Sequence, residues 1–189
     1  RLLVPIDTIK NVERIANKHI NTLITGDPMD TNTNLGPVVN VKQFISIQTY
    51  IESGINSGLK LISGGLGRPI NCNSGYFIKP TIFSEVSNKS LVAQEEIFGP
   101  VLSIITYDDI NHAVRIANDS IYGLSSYITC LDDEEGLKIA RKIKAGQTII
   151  NKKSRGSAPA PFGGFKMSGN GREHGLFGLE EYLEIKAII

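Results

Sequence analysis

Residues 161–173 read Pro-Phe-Gly-Gly-Phe-Lys-Met-Ser-Gly-Asn-Gly-Arg-Glu, and this stretch says more about the fold than any other part of the chain. Its glycines permit backbone angles that other residue types resist. Two phenylalanines, Phe162 and Phe165, flank the first pair of glycines. We therefore expect a tight surface turn that sets flat aromatic side chains against a pocket.

A second short motif, Glu-Glu-Ile-Phe-Gly-Pro, occupies residues 95–100. An ionised carboxylate such as that of Glu96 can accept hydrogen bonds from both hydroxyls of a ribose, as a nucleotide cofactor requires. Phe98 lies two residues further on and could offer its ring to the same ligand. Taken alone, the motif equally fits an acidic helix end followed by a buried aromatic residue. In the same way, Phe162 alone could be a core residue beside a turn.

Together, the two motifs closely resemble the carboxyl-terminal signatures of the NAD(P)-dependent aldehyde dehydrogenases. The resemblance extends over essentially the whole chain, weak in the first part and strong from Gly75 onward. It implies that Glu96 holds the nicotinamide ribose of NAD or NADP and that Phe98 packs beside it. It also implies that Phe162 lines the tunnel through which a small aldehyde substrate enters, where an apolar wall excludes water.

The same resemblance assigns the carboxyl-terminal end to assembly. It implies that the final strand helps to form a homo-oligomer and that Arg172 and Glu184 belong to the subunit interface. We expect these two opposite charges to pair, within or between subunits. The alternative is two independently solvated side chains.

The family reaction oxidises an aldehyde to a carboxylic acid through a cysteine thiohemiacetal, with hydride passing to NAD or NADP. The resemblance places residues 1–4 on the strand that follows the nucleophilic cysteine, so that cysteine, the general-base glutamate and the dinucleotide-binding domain are expected to be absent. Neither Cys72 nor Cys130 occupies a family active-site position, and no catalytic residue is assigned. We therefore expect a portion of an aldehyde dehydrogenase that is inactive alone. The alternatives are an assembly module that pairs with a complementary or full-length subunit, and the remnant of a decayed gene.

Composition excludes several other classes of function. The 189 residues are 41% hydrophobic and 21% charged, as in ordinary globular proteins, and the net charge of +1 gives no electrostatic argument for a nucleic-acid or membrane partner. No apolar run approaches the roughly 20 residues that span a bilayer. The start at Arg1, without an initiator methionine or signal peptide, suggests a segment cut from a longer chain, and a choice of numbering is the alternative.

Cysteine and histidine usage predicts neither a disulfide framework nor a metal site. Two cysteines suit no zinc motif, and a reducing, cytoplasmic setting is the default. The three histidines lie far apart in the sequence and lack the i,i+4 spacing of a helical metal site: His19, His112 and His174.

The order of elements predicts an α/β fold, with an open, mostly parallel sheet, flanking helices and a carboxyl-terminal oligomerisation strand. Strands are expected at residues 1–4, 59–62, 76–83, 101–106, 124–129, 147–151 and 183–189. Helices are expected after Asp7 or Thr8, over residues 38–57, after Asp108 or Asp109, between Asp132 and Gly146, and over residues 176–182. Because Pro80 interrupts the strand at 76–83, that strand is expected at an edge or bulge. Residues 1–175 would form a partial catalytic domain, and residues 176–189 the helix and strand used in assembly.

Overall fold

The computed structural model describes residues 1–151 and 158–189. These residues divide into two units, Arg1–Asp109 and Ile110–Ile189, which are described one at a time. Helices alternate with mostly parallel strands in both, so the predicted α/β class is confirmed. The expected domain boundary between residues 175 and 176 stays a prediction.

A four-stranded sheet organises the first unit. In the order β1-β4-β3-β2, the strands β1 and β3 both run parallel to β4, whereas β2 runs antiparallel to β3. Their bounds are β1 Leu2–Pro5, β2 Lys60–Ser63, β3 Thr81–Ser84 and β4 Val101–Tyr107.

Strand β3 corrects one prediction from the sequence. Pro80 suggested an edge strand or a bulge; β3 lies inside the sheet, between β4 and β2, and its pairing with β2 has an irregular register between Leu61 and Ser63. The edge position was wrong because Pro80 precedes the paired residues and its missing N–H is not needed by the ladder. Thr81 supplies the first donor, to the Pro100 carbonyl oxygen at 2.8 Å.

Helix α1 (Ile9–Ile20) packs its predicted apolar stripe on the sheet. The stripe of Ile9, Val12, Ala16 and Ile20 lies against a buried cluster of Val4, Ile82 and Ile104. The expected side-chain cap at Asp7 or Thr8 is not formed. A short 3-10 turn precedes the helix instead, and the Thr8 hydroxyl donates to the Pro5 carbonyl oxygen.

Helix α2 (Val41–Asn56) begins three residues later than predicted because Asn40 caps it, accepting a hydrogen bond from the Gln43 amide at 2.9 Å. Ile47 and Ile51 on this helix are fully buried. Gly54 lies under the ring of Phe83, where a Cβ would come within 2.7 Å of a ring carbon. The short helix α3 (Leu91–Gln94) follows β3.

A charged network joins α1 to strands β2 and β3. The carboxylate of Glu13 accepts hydrogen bonds from Lys60 and from the buried Ser84 hydroxyl. Lys60 also bonds Glu85 at 2.8 Å. The side chain of Glu13 is only 13% exposed. The hydrogen bonds from Lys60 and Ser84 hold its pKa below the usual value of 4.5.

This network predicts acid sensitivity. A carboxyl group whose pKa is lowered by folding stabilises the fold above its unfolded pKa and loses that contribution as pH falls through the folded value. We expect the free energy of unfolding of residues 1–109 to decrease when the pH drops below about 4.5. Urea unfolding at pH 7 and pH 3 should show a smaller drop for Glu13→Gln than for the wild type. The exposed Glu52→Gln is the control, and an unaltered drop in Glu13→Gln would contradict the prediction.

The second unit contains a two-stranded parallel sheet of β5 (Ser125–Ile128) and β6 (Gln147–Ile150). Its helices are α4 (Ile110–Asn118), α5 (Asp133–Ala140) and α6 (Gly175–Glu180). The predicted cap of α5 is confirmed, because an Asp132 side-chain oxygen accepts from the Glu134 amide at 3.0 Å.

Helix α5 ends at Ala140, whereas the sequence predicted that it would continue towards Gly146. The side chain of Asn118 forms hydrogen bonds with the backbone that follows the end of the helix. It donates to the Lys142 carbonyl oxygen and accepts from the Lys144 amide, at 2.8 and 2.7 Å. These bonds hold the connection to β6 in a turn.

The strand predicted at residues 183–189 is not formed in the single chain. Residues 183–189 form neither helix nor strand, and Ile185 is fully exposed. A strand acquires its ladder only beside a second strand, and among the described residues none pairs with this segment. Their role in assembly stays a prediction. In the part of the chain that the structure describes, no helix has the length and hydrophobicity to cross a bilayer.

Candidate functional site

The 95–100 loop follows α3 and presents two of the predicted residues to solvent. Ile97 is buried, whereas Glu96 on one side and Phe98 on the other are exposed. Phe98 is 74% exposed, which contradicts the alternative of a buried aromatic residue. The Glu96 carboxylate has no hydrogen-bonding partner among the residues that the structure describes. This loop therefore offers an unpaired acceptor and a free aromatic face to a ligand.

The backbone of Phe98 is strained and held by its neighbours. Its φ of 56° lies in the left-handed region, which costs a bulky residue about 1–3 kcal/mol. The amide nitrogen of Gln43 on α2 donates to the carbonyl oxygens of Phe98 at 2.9 Å and Ile97 at 3.3 Å. Gly99 sits against Ile47, so closely that a Cβ would come within 2.5 Å of the Ile47 Cδ1. Helix α2 thus holds this turn at two points.

In the second unit, the 161–173 loop is closed by its own ends. Phe162 and Glu173 exchange both backbone hydrogen bonds, at 2.8 and 2.6 Å, as one antiparallel bridge. Phe162 is half-buried beside this closure. Gly146, just before β6, lies so close to the Gly163 carbonyl oxygen that any Cβ would overlap it. The tight turn expected from the glycines is confirmed.

The body of this loop is anchored to the segment after α4. The Phe165 amide donates to the Gly123 carbonyl oxygen at 2.8 Å, and the Gly123 amide donates to the Ser168 hydroxyl at 2.9 Å. Lys166 Nζ reaches the Asn118 carbonyl oxygen at 2.8 Å, at the end of α4. A cation there complements the helix dipole. Phe162 is therefore carried by a well-anchored loop, and the sequence reasoning missed Lys166 as an anchor.

In the single chain, Arg172 binds carbonyl groups of its own loop. Its guanidinium donates to the carbonyl oxygens of Gly164 and Gly171, at 3.0 and 2.7 Å, and stacks 5.5 Å from the centre of the Phe165 ring. Its amide donates to Glu181 at 3.2 Å. Among the described residues it forms no ion pair with Glu184, so the expected pair within one chain is not formed. A pair between subunits stays a prediction.

The two thiols occupy structural positions. Cys72 is 6% exposed, with its sulfur 3.6 Å from the Thr25 carbonyl oxygen. Cys130 is half-buried, with its sulfur 3.2 Å from the Asp132 carbonyl oxygen.

A cleft of about 440 Å³ in the first unit is lined by none of the predicted site residues.

Comparison with known proteins supports the family resemblance of the two motifs. A model of the aldehyde dehydrogenase family matches residues 1–188. The chain belongs to the aldehyde dehydrogenase family. The predicted resemblance is confirmed, and it covers nearly the whole of the chain.

Curated relatives and solved structures of this family share both sequence and fold. A 3-succinoylsemialdehyde-pyridine dehydrogenase from a Pseudomonas species is 47% identical over 100% of this chain, and a putative aldehyde dehydrogenase of Staphylococcus haemolyticus is 45% identical. A variant of aldehyde dehydrogenase C (AldC) from Pseudomonas syringae, solved with NAD+ and octanal, matches 98% of this chain with a TM-score of 0.95 and 47% identity. A Mycobacterium tuberculosis aldehyde dehydrogenase solved with NAD+ matches 95% of it with a TM-score of 0.91 and 41% identity.

The chain spans 39% of the length of these two curated relatives. It likewise covers 38% of the AldC chain. The matches therefore establish family and fold over a part of the aldehyde dehydrogenase polypeptide.

Proposed function

We propose that this chain is the carboxyl-terminal part of an NAD(P)-dependent aldehyde dehydrogenase, which oxidises an aldehyde to a carboxylic acid through a cysteine thiohemiacetal. In this proposal Glu96 binds the hydroxyls of the nicotinamide ribose, and Phe98 packs its ring beside the same group. Phe162 lines the path of the aldehyde.

The observation that carries the proposal is the exposure of Glu96 and Phe98 on a strained, tightly held loop. Strained backbone persists only where surrounding contacts over-determine it, and such positions concentrate at ligand sites. An unpaired carboxylate beside an exposed ring matches a ribose next to a flat heterocycle. The NAD+ complexes of the Pseudomonas and Mycobacterium enzymes support a nicotinamide cofactor as that ligand.

The polypeptide of 189 residues alone is proposed to be inactive. The thiohemiacetal step needs a thiolate beside C4 of the nicotinamide, together with donors for the oxyanion. Cys72 is buried, and Cys130 is hydrogen-bonded to the backbone at the start of α5. We expect no NADH formation by the pure chain with short or long aldehydes, followed at 340 nm. Robust turnover that is lost in Cys72→Ser or Cys130→Ser would contradict this expectation.

A hybrid enzyme tests the role of Glu96 directly. In this hybrid the chain replaces the matching segment of the Pseudomonas syringae AldC, to which it is 47% identical. We expect Glu96→Gln to raise the KM for NAD+ roughly tenfold or more, because charge-assisted hydrogen bonds are worth about 1.5–3 kcal/mol each. The KM for the aldehyde should change little.

Glu95→Gln is the matched control, since Glu95 is the exposed neighbour in the same loop. It should leave the KM for NAD+ near that of the unsubstituted hybrid. Equal effects of the two substitutions, or none from Glu96→Gln, would count against the proposed cofactor site.

A role in assembly is the second candidate, favoured by the apolar surface at the carboxyl-terminal end. Exposed apolar side chains continue from α6 through the last residues: Leu176, Phe177, Leu179, Leu183, Ile185, Ile188 and Ile189. A run of exposed apolar side chains of this kind is typical of subunit contacts. We propose a homo-oligomer that pairs residues 183–189 with a strand of another subunit, with Arg172 and Glu184 beside the contact.

Sedimentation velocity tests the assembly proposal. Ile185→Asp should shift the chain towards monomer, because a charge would enter an apolar contact. Leu131→Asp is the control, since Leu131 is equally exposed but lies far away in the sequence. A wild-type chain that sediments as a monomer at high concentration would rule the assembly out.

A further inference from the structure

We propose that Gln43 is a positioning residue that holds the 95–100 loop in the shape that presents Glu96 to the cofactor. This inference rests on the proposed role of Glu96. The side chain of Gln43 is half-buried between the start of α2 and the loop. Its Nε2 atom carries two hydrogens, and two carbonyl oxygens of the loop lie within hydrogen-bonding distance.

The bonds from Gln43 act on the residues that determine the direction of Glu96. They end on the carbonyl groups of Ile97 and Phe98, which directly follow Glu96 in the chain. Phe98 has the left-handed backbone angle, and only surrounding contacts keep a phenylalanine there. Without these bonds the loop can relax to ordinary backbone angles, and Glu96 and Phe98 would no longer be presented together.

Helix α2 is a suitable support for this task. Gln43 and Ile47 are four residues apart and therefore lie on one face of the helix. Ile47 is fully buried and packs on Gly99, so the same face fixes both the polar and the apolar side of the turn. The backbone amide of Gln43 is itself bonded to the capping side chain of Asn40. The Nε2 donor of Gln43 therefore lies on a turn of helix that the Asn40 cap and the packing of Ile47 both hold in place.

The expected consequence concerns cofactor affinity. A loop that is already ordered avoids the entropy that would otherwise be lost when the cofactor binds. Loss of Gln43 should therefore weaken the binding of NAD+ through Glu96, while the aldehyde path is unaffected. A residue that only stabilised the fold would lower the melting temperature without this selectivity.

Hydrogen exchange on the chain of 189 residues tests the positioning itself. Gln43→Met keeps the length of the side chain but removes both donors, and we expect the amide hydrogens of residues 96–99 and of Val101 to exchange about tenfold faster. Gln48→Met is the matched control, because Gln48 also lies on α2 and accepts a hydrogen bond from a different loop, at the Gly67 amide. It should leave residues 96–101 unchanged. Unchanged exchange in Gln43→Met would overturn the inference.

A double-mutant cycle in the AldC hybrid separates positioning from direct contact with the cofactor. We expect Gln43→Met to raise the KM for NAD+ about tenfold, with the KM for the aldehyde unchanged and kcat largely restored at saturating NAD+. In the Glu96→Gln background the same substitution should have little further effect, because Gln43 acts through Glu96. Fully additive effects would mean that Gln43 binds the cofactor itself and would overturn the inference. If Glu96→Gln alone leaves the KM for NAD+ unchanged, the proposed cofactor site is what fails, and the exchange experiment still decides whether Gln43 holds the loop.

Discussion

Gly146→Ala is expected to destabilise residues 110–189 by about 3 kcal/mol, since overpacking a close contact costs about 1–3 kcal/mol and occasionally more. The added methyl group would overlap the Gly163 carbonyl oxygen, which belongs to backbone and cannot rotate away. The amide of Gly146 is also bonded to the Gly123 carbonyl oxygen at 3.0 Å, so the glycine itself has little freedom to move. Relief of the overlap therefore requires the 161–173 loop, which contains Phe162, to shift.

Hydrogen exchange at increasing urea concentrations would measure this effect for each unit separately. Gly171→Ala is the control, because a Cβ there meets only Glu181, at ordinary contact distances of 3.6 Å or more. We expect Gly171→Ala to be nearly neutral. A Gly146→Ala protein as stable as Gly171→Ala would show that the two backbone segments are not in contact in solution.

Phe83→Ala is expected to destabilise residues 1–109 by about 3–5 kcal/mol, the usual range for truncating a buried phenylalanine. Phe83 is fully buried at the centre of the sheet, and its ring lies over Gly54 of α2. Removing the ring takes away both the burial and the contact that joins the helix to the sheet. Because α2 also supports the 95–100 loop, that loop should lose protection from exchange in the same variant.

Phe98→Ala is the control for Phe83→Ala. Its ring is 74% exposed, and exposed substitutions usually change stability by no more than about 0.5 kcal/mol. Urea denaturation should therefore separate the two phenylalanines clearly. A large loss of stability in Phe98→Ala would mean that the ring is buried in solution, and it would remove the surface on which the cofactor proposal depends.

Local signals in the sequence were sufficient for most elements of the fold. The stripe of Ile9, Val12, Ala16 and Ile20 predicted α1, and Asp132 predicted the start of α5, because amphipathic spacing and capping are short-range properties. The glycines of residues 161–173 likewise predicted a tight turn. The two motifs identified the family, and Asn40 with Gln43 three residues later was an unused signal for the start of α2.

The failures share a physical cause, which is dependence on partners distant in the sequence. Pro80 predicted an edge strand or a bulge, and the edge position was wrong because the place of β3 depends on β2 and β4 lying on either side of it. A strand was expected at residues 183–189, but extended pairing requires a second strand, and none of the described residues pairs with this segment. Within one chain Arg172 does not pair with Glu184, because carbonyl groups brought near by the loop closure bind its guanidinium instead; a pair between subunits stays a prediction.

Residue types at short spacing were enough to identify the family, the α/β class and the candidates Glu96, Phe98 and Phe162. The folded structure was needed to show that Glu96 has no partner among the described residues, that Phe98 is exposed in a left-handed turn and that Gln43 holds this turn from α2. Gln43 and Phe98 are separated by more than fifty positions. No local pattern in the sequence encodes a hydrogen bond between groups that folding alone brings together.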